Sequence, residues 1–418
     1  MTASTDLAPG FRMTEIGPLP EEWGIAPFDE AIERKRVKVG KLPRSEYRAS
    51  GRFAIVDQGQ QFVAGYTDDA NLVYCGDLPV IVFGDHTRAL KLVSFPFVCG
   101  ADGTKVLVPN REKYAPAFLY YALRTLDIPS RGYNRHYPLL RQRALPLPPL
   151  PEQRKIAAVL DTVRRAIEAT EKVIAAAREL KRSFLQYLFT YGPVPYDQAD
   201  RVPLKETEIG PMPEGWRVLT LGSVARTATG GTPSRARPEY YGGSVPWVKS
   251  GELGDAPVTR TSEYLAEEGL QNSSAKLVPA GTLLVAMYGA TAGKVGILRM
   301  RAATNQAVCA VYPRADMAVA TYLFHALMHR REDLMSRRYG GAQPNLGQTV
   351  LRMFDLPIPS DLADQRLVAH MLDAVVTKAS AEQARRSALQ SLFVGLLHDL
   401  MTGRIRVNDL DLPAGVQP

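Results

Sequence analysis

Cysteine is scarce in this chain: Cys75, Cys99 and Cys309 are the three in 418 residues. They lie far apart, form no CxxC and cannot all pair, which disfavours a disulfide scaffold or a zinc knuckle. Long apolar runs are also missing. No stretch approaches the roughly 18 apolar residues of a membrane helix, so none is expected. The first residues, MTASTDLAPGFRMTEIG, lack the basic and apolar regions of a secretory signal. Together these absences point to a reducing, cytoplasmic location.

Catalytic signatures are missing as well. Tyr288–Val295 looks briefly like a phosphate loop. Tyr288 stands where such a loop needs its first glycine, and Val295 where it needs Ser or Thr after Lys294. No G-x-G-x-x-G follows a strand, and neither an Asn-Pro-Pro-aromatic tetrad nor a nuclease pattern is found. The six histidines form no H-E-x-x-H; His325 and His329 share a helix face but have no third ligand. Asp85-His86 has the residue types of an acid–base pair but no nucleophile or metal cluster beside it. No catalytic residue and no metal site is therefore expected.

What is present is ordinary globular composition, 45% hydrophobic and 22% charged, which excludes wholesale disorder. The length fits two or three domains. Lys+Arg 51 against Asp+Glu 43 gives a net charge of +8, which weakly favours a polyanionic partner.

The chain repeats itself. Thr14–Glu21 with Trp23 (TEIGPLPE, then W) returns as Thr207–Glu214 with Trp216 (TEIGPMPE, then W), an offset of 193. Leu145–Pro148 returns as Leu356–Pro359, and Gln153-Arg154 with Leu160-Asp161 returns as Gln365-Arg366 with Leu372-Asp373, offsets of 211 and 212. The order is A–B–A′–B′, which implies duplication rather than a solenoid.

Each B unit reads as one long helix. Ile156, Leu160, Val163, Ile167, Ile174, Ala177, Phe184 and Leu188, with Thr170 and Lys181 in the gaps, step by four and three residues, a heptad seam. No proline or glycine interrupts Glu152 to Thr190, 39 residues. That predicts a helix of roughly 58 Å, ended by Gly192. The second seam is Val368, Leu372, Val375 and Ala379, then Leu389, Phe393, Leu396 and Leu400. Its middle is weaker, because Glu382 and Arg386 occupy seam positions. The expected helix-pairing residues are Ile156, Leu160, Val163, Ile167, Ile174, Phe184, Leu188, Val368, Leu372, Val375, Leu389, Phe393, Leu396 and Leu400. Connectivity makes the pairing antiparallel and places A and A′ at opposite ends, a dumbbell.

The A units alternate short β-type runs with turns: Phe53–Val56, Val80–Phe83 and Lys105–Val108, then Thr282–Val285 and Ala307–Val311. Each carries a late helical stretch, Ala115–Leu126 and Met317–Arg330. The expected class is α+β: two mixed α/β domains joined by two long antiparallel helices, a coiled-coil spacer with pseudo-twofold internal duplication. The expected divisions are 1–150 for the first domain, 151–192 for the first helix, and 193–361 for a linker and the second domain. The second helix takes 362–403 and a tail 404–418.

Polar, glycine-containing loops carry the binding candidates. In A these are His86, Arg88, Lys91, Arg131, Tyr133, Asn134, Arg135, His136 and Tyr137. In A′ they are Thr229, Gly230, Gly231, Thr232, Ser234, Arg235, Lys249, Ser250, Tyr288, Thr291, Lys294, Gln343 and Asn345. Arg and Lys suit guanine edges, Asn and Gln suit adenine, and Thr, Ser and glycine N–H groups suit phosphates.

The motifs in this order closely resemble the DNA-specificity subunit of Type I restriction–modification enzymes. The resemblance rests on VIVFGDHTR (Val80–Arg88), Gly100–Gly103, LPPLPEQR (Leu147–Arg154), GGTPSR (Gly230–Arg235), VPWVKSGE (Val245–Glu252), GATAGKVGIL (Gly289–Leu298), TNQA (Thr304–Ala307) and AQPNL (Ala342–Leu346). It implies that each A unit is a target recognition domain reading one half of a bipartite site on double-stranded DNA. It implies that the helices set the spacing and dock two methyltransferase subunits. Those partners carry S-adenosylmethionine; restriction subunits in the full complex use ATP and Mg. The chain itself would hold no cofactor, catalyse nothing and touch no membrane. The first domain has no GGTPSR or AQPNL string, so the two half-sites should differ. The competing readings are a subunit with its own nuclease or methyltransferase activity, and a protein-interaction adaptor.

Overall fold

The structure, a computed structural model, describes residues 7–33, 39–101, 103–130, 132, 134–337 and 345–408. It divides into two compact units, Met1–Thr170 with Arg385–Pro418, and Glu171–Ala384. Both are mixed helix and sheet.

Two long helices run through this division. The first, Leu150–Tyr191, has 42 residues, roughly 63 Å. The second, Leu362–Met401, has 40. Each is free of interior proline, and each ends at a glycine in the left-handed region, Gly192 at φ +78° and Gly403 at φ +69°. Gly403 is under a second constraint: a Cβ there would lie 2.3 Å from Pro20. Each unit thus takes one end of each helix.

The first unit opens with a hairpin, Phe11–Thr14 against Gly17–Pro20, followed by Gly24–Pro27 paired antiparallel to Ala144–Leu147. Val80–Gly84 is the centre of an antiparallel sheet between Thr104–Leu107 and Leu90–Val93. A second sheet has the order Lys41–Leu42, Phe97–Gly100, Phe53–Val56, Gly65–Thr67, its first three strands parallel. The helix Pro116–Arg124 starts on a proline that pre-sets its first φ, and buries Phe118, Leu119, Tyr121, Ala122 and Leu123. These join Trp23, Phe28 and Phe83 in one core. Ile156, Leu160, Val163 and Ile167 from the start of the first long helix enter it, as do Phe393, Leu396 and Leu400 from the end of the second.

The second unit has larger sheets. Its five-stranded sheet runs Ala225–Thr229, Val308–Pro313, Leu283–Ala286, Val295–Leu298, Ala256–Val258. A four-stranded sheet is built on Tyr241–Val248, flanked by Glu263–Leu265 and Ala302–Thr304. The helix Ala320–His329 packs on the larger sheet. Phe184 and Leu188 from the end of the first long helix share this core with Val368 and Leu372 from the start of the second.

Some expected seam residues behave differently. Ile174 is buried, but Val375 and Leu389 are only half-buried. Thr170, a polar gap in the first seam, is buried with its hydroxyl donating to the Ala166 carbonyl. Glu382 is buried too and holds Lys378 at 2.8 Å one turn away.

Candidate nucleic-acid interface

In the second unit one loop layer gathers most of the candidates. The strand Ala225–Thr229 runs into Gly230-Gly231, which lie against Thr304 at the end of the strand Ala302–Thr304 in the four-stranded sheet. The Gly231 N–H donates to the Thr304 carbonyl at 2.9 Å. A Cβ at Gly230 would stand 2.0 Å from that same carbonyl oxygen, so the chain passes there only as glycine. The Trp247 indole N–H donates to the Gly231 carbonyl at 3.1 Å, and the Tyr241 hydroxyl donates to the Pro233 carbonyl at 2.5 Å. The loop is therefore pinned against the strand Tyr241–Val248 by hydrogen bonds from the side chains at its two ends.

That anchoring sets Arg235 over two rings. Its guanidinium lies 4.3 Å from the Tyr241 centroid and 5.3 Å from that of Trp247, a cation–π stack. Arg235 also pairs with Glu263 at 2.8 Å, and Lys249 binds the other oxygen of the same carboxylate. The Lys249 hydrogen bond first, then Arg235, hold the Glu263 carboxyl below its ordinary range. Two cations and one carboxylate leave a net positive, preorganised and solvent-facing group.

Glu252 organises the next loop. Burial works to raise its pKa, but donors from Lys249 N–H, Ser262 and Thr261 prevail and hold it low. The Thr291 hydroxyl donates to the Ser250 carbonyl at 2.8 Å, bringing Tyr288–Lys294 beside Lys249-Ser250. Arg331 fixes the far side of that segment, donating to the Gly293 carbonyl at 3.1 Å and pairing with Asp255. Leu346 N–H donates to Met287 O at 2.9 Å and seats Asn345 near Tyr288. Thr229, Thr232, Ser234 and Tyr288 are exposed, Ser250, Thr291, Lys294 and Asn345 half-buried, and Gly231 buried. Thr232 meets Gln306 through its hydroxyl. Gln343 lies outside the described residues.

The first unit uses its candidates differently, and two expectations need correction. Lys91 does not face solvent: it is 4% exposed, and its ammonium donates to the carbonyls of Asp57 at 2.8 Å and Gln61 at 2.5 Å. Burial lowers its pKa, opposed by Asp57. His136 is fully buried, its backbone N–H donating to the Asp85 carbonyl at 2.8 Å and its ring Nδ1 lying 2.9 Å from the same oxygen. Both side chains hold loops rather than present themselves to a ligand, because a buried polar group must be satisfied internally. Asp85 is likewise a tie, accepting the Tyr137 N–H at 2.7 Å.

What this unit leaves toward solvent is Arg88, Asn134 and Arg135, with His86 and Tyr137 half-buried. Arg88 adopts φ +61° and donates to the Ile128 carbonyl at 2.8 Å. Lys105 lies 5.6 Å over the Tyr137 ring. Arg131 and Tyr133 lie outside the described residues. Sequence reasoning missed Glu263, Asp255 and Arg331 in the second unit and, in the first, Gln58, whose side-chain oxygen accepts the His86 N–H at 3.2 Å. Each acts on a residue distant in sequence, so no spacing rule could have found it.

Among the described residues no group of three or more His, Cys, Asp or Glu could hold a metal ion. No described helix is long and apolar enough to cross a membrane.

The chain thus has two mixed sheet-and-helix units, each bearing polar loops and each including an end of two long helices. Residues 213–391 match the family model for the Type I restriction modification DNA specificity domain. The chain is 26% identical to the EcoR124I/EcoR124II specificity subunit of Escherichia coli, over 83% of this chain and 85% of that one. It is 22% identical to the MjaX specificity subunit, itself a putative assignment, of Methanocaldococcus jannaschii, over 95% of this chain and 97% of that one. The fold is similar to that of the crystallised Type I S subunit from M. genitalium, with a TM-score of 0.67, 16% identity, and coverage of 94% of this chain and 99% of that one. Residues 213–391 thus carry the signature of the Type I DNA specificity domain, and the chain over most of its length is similar to Type I specificity subunits.

Proposed function

We propose that this chain reads an asymmetric, bipartite DNA site for a Type I restriction–modification complex. Each unit reads one half. The two long helices serve as an antiparallel coiled-coil spacer in a pseudo-twofold arrangement, fix the distance between half-sites, and dock two methyltransferase subunits. The chain catalyses nothing and holds no cofactor. S-adenosylmethionine belongs to the methyltransferase partners, ATP and Mg to the restriction subunits, and the complex works in the cytoplasm.

The observation that carries this reading is the Arg235–Lys249–Glu263 group stacked on Tyr241 and Trp247. A stacked, oriented guanidinium matches the O6/N7 edge of guanine, and the carboxylate between the cations can accept from cytosine N4. Exposed lysines and arginines around it supply salt-dependent attraction to phosphates. The loops of the first unit have other side chains in other places, so the two half-sites differ.

The test is to map methylated adenines in cells expressing this chain with its cognate methyltransferase subunit, beside cells lacking this chain. A bipartite motif that depends on this chain is the expected result. No motif, with a soluble complex that also fails to bind DNA, would overturn the proposal.

A further inference from the structure

The repeated Gln and Asp of the B units are not used by any DNA-facing loop, yet both copies do the same work. Gln153 and Gln365 are fully buried. The Gln153 amide oxygen accepts the Ala115 N–H at 2.9 Å, and its NH2 donates to the carbonyls of Lys113 and Pro148, both at 2.8 Å. The Gln365 oxygen accepts the Val319 N–H at 3.0 Å, and its NH2 donates to Met317 at 2.9 Å and Pro359 at 3.1 Å. Ala115 and Val319 are the N-cap residues of Pro116–Arg124 and Ala320–His329. Pro148 and Pro359 end the segments that lead into the long helices. One amide therefore ties three parts together: the domain helix, the closing strand and the long helix.

A second tie lies two turns along. Asp161 accepts the Tyr121 hydroxyl at 2.6 Å, and Asp373 sits 2.8 Å from His325 Nε2. The two ties stand eight residues apart on each long helix, about 12 Å. Two points fix rotation as well as position, which one cannot. The division into compact units agrees independently. It falls at 170/171 and 384/385, inside the long helices, and not where the domains join them.

We infer that Gln153 with Asp161, and Gln365 with Asp373, are positioning residues that lock each recognition domain to its helix and thereby set the register of the half-sites. This rests on the proposed function. A loose domain would still recognise its bases, but it would accept half-sites at neighbouring separations. The clamp converts helix length into a single preferred spacer.

The experiment uses the full chain assembled with its methyltransferase partner, and measures methylation across DNA sites whose spacer varies by one base pair either way. Wild type should favour one spacer sharply. Asp161→Ala and Gln153→Glu should reduce that preference about tenfold, the equivalent of a lost buried hydrogen bond, while half-site sequence preference stays the same. The glutamate keeps the shape but cannot donate to two carbonyls. Asp161→Asn, which keeps the acceptor, should restore the preference. Asp161 is partly solvent-exposed, so its alanine variant should fold even if Gln153→Glu does not. Folded variants with wild-type spacer sharpness would overturn the inference. Absence of any wild-type motif would instead overturn the proposed function.

Discussion

Arg235 of the second unit and Lys91 of the first are both cations in polar loops, but they have opposite fates. Arg235 is stacked on two rings with its side chain 58% exposed. Lys91 is buried among carbonyls and stitches the 57–61 loop to the sheet. The same contrast runs through the units. Where the second exposes Thr229, Thr232 and Ser234 on a glycine-rich bend, the first buries His136 and Asp85 beneath its loop. The clamps beneath are the same in both. Gln153 and Gln365 make matching bonds to a helix start and to the segment before the long helix, while the loops above them differ.

The contrast is broken most severely at Gly230. Gly230→Ala drives a methyl into the Thr304 carbonyl and should destabilise the second unit by about 3 kcal/mol. Gly215→Ala, with open space around it, should not. Thermal melting of the two variants checks this.

Next in size are the two cations. Arg235→Ala should weaken specific DNA binding by about 1–3 kcal/mol with an unchanged melting temperature. Lys91→Ala should do the reverse, lowering stability by about 1–3 kcal/mol as the Asp57 and Gln61 carbonyls lose their donor, with the salt dependence of binding kept. Titrations at several salt concentrations beside melting curves separate the two roles. A Lys91 variant with a shallower salt slope would place that side chain on DNA after all.

Acid should distinguish the units as well. Tyr121 in the first has His325 as its counterpart in the second, and Thr125 has His329. Burial chiefly, with Arg330 adding, lowers the His329 pKa from 6.5 to about 4. Burial lowers His325 too, opposed by its bond to Asp373. The folded state therefore refuses protons that the unfolded state accepts. The second unit should lose about 2–3 kcal/mol as pH falls from 6.5 toward 4, and keep its full stability above 6.5. Hydrogen exchange, corrected for intrinsic rates, should show Ala320–His329 opening more readily in acid while Pro116–Arg124 does not.

The smallest expected difference concerns the repeated tryptophans. Trp23 donates to Glu152 at 3.0 Å, and Arg406 completes that group at 2.7 Å. Trp216 instead packs edge-on against Phe189 and Tyr322. Trp23→Phe should cost about 1 kcal/mol more than Trp216→Phe, because it removes a donor from a buried carboxylate.

The frame was legible in the sequence for physical reasons. Heptad spacing without proline or glycine can only be a long helix, and Gly192 must end it. Apolar runs such as Val80–Phe83 and helical stretches such as Met317–Arg330 fell within a few residues of the observed elements. The loops were less legible. Nothing local distinguishes Lys91 from Arg235: the carbonyls that bury Lys91 are about 30 residues away. Nor does any motif announce Glu263, 14 residues beyond Lys249. The Gln153 and Asp161 repeats were visible as strings, but their bonds depend on a helix some 40 residues earlier.

The most direct test of a shared frame with independent loops is adenine-methylation mapping of the complex carrying Arg235→Ala with Lys249→Ala. The expected result is relaxed or altered bases in one half-site, with the other half-site and the spacer unchanged. Changes in both half-sites, or a shifted spacer, would contradict the account.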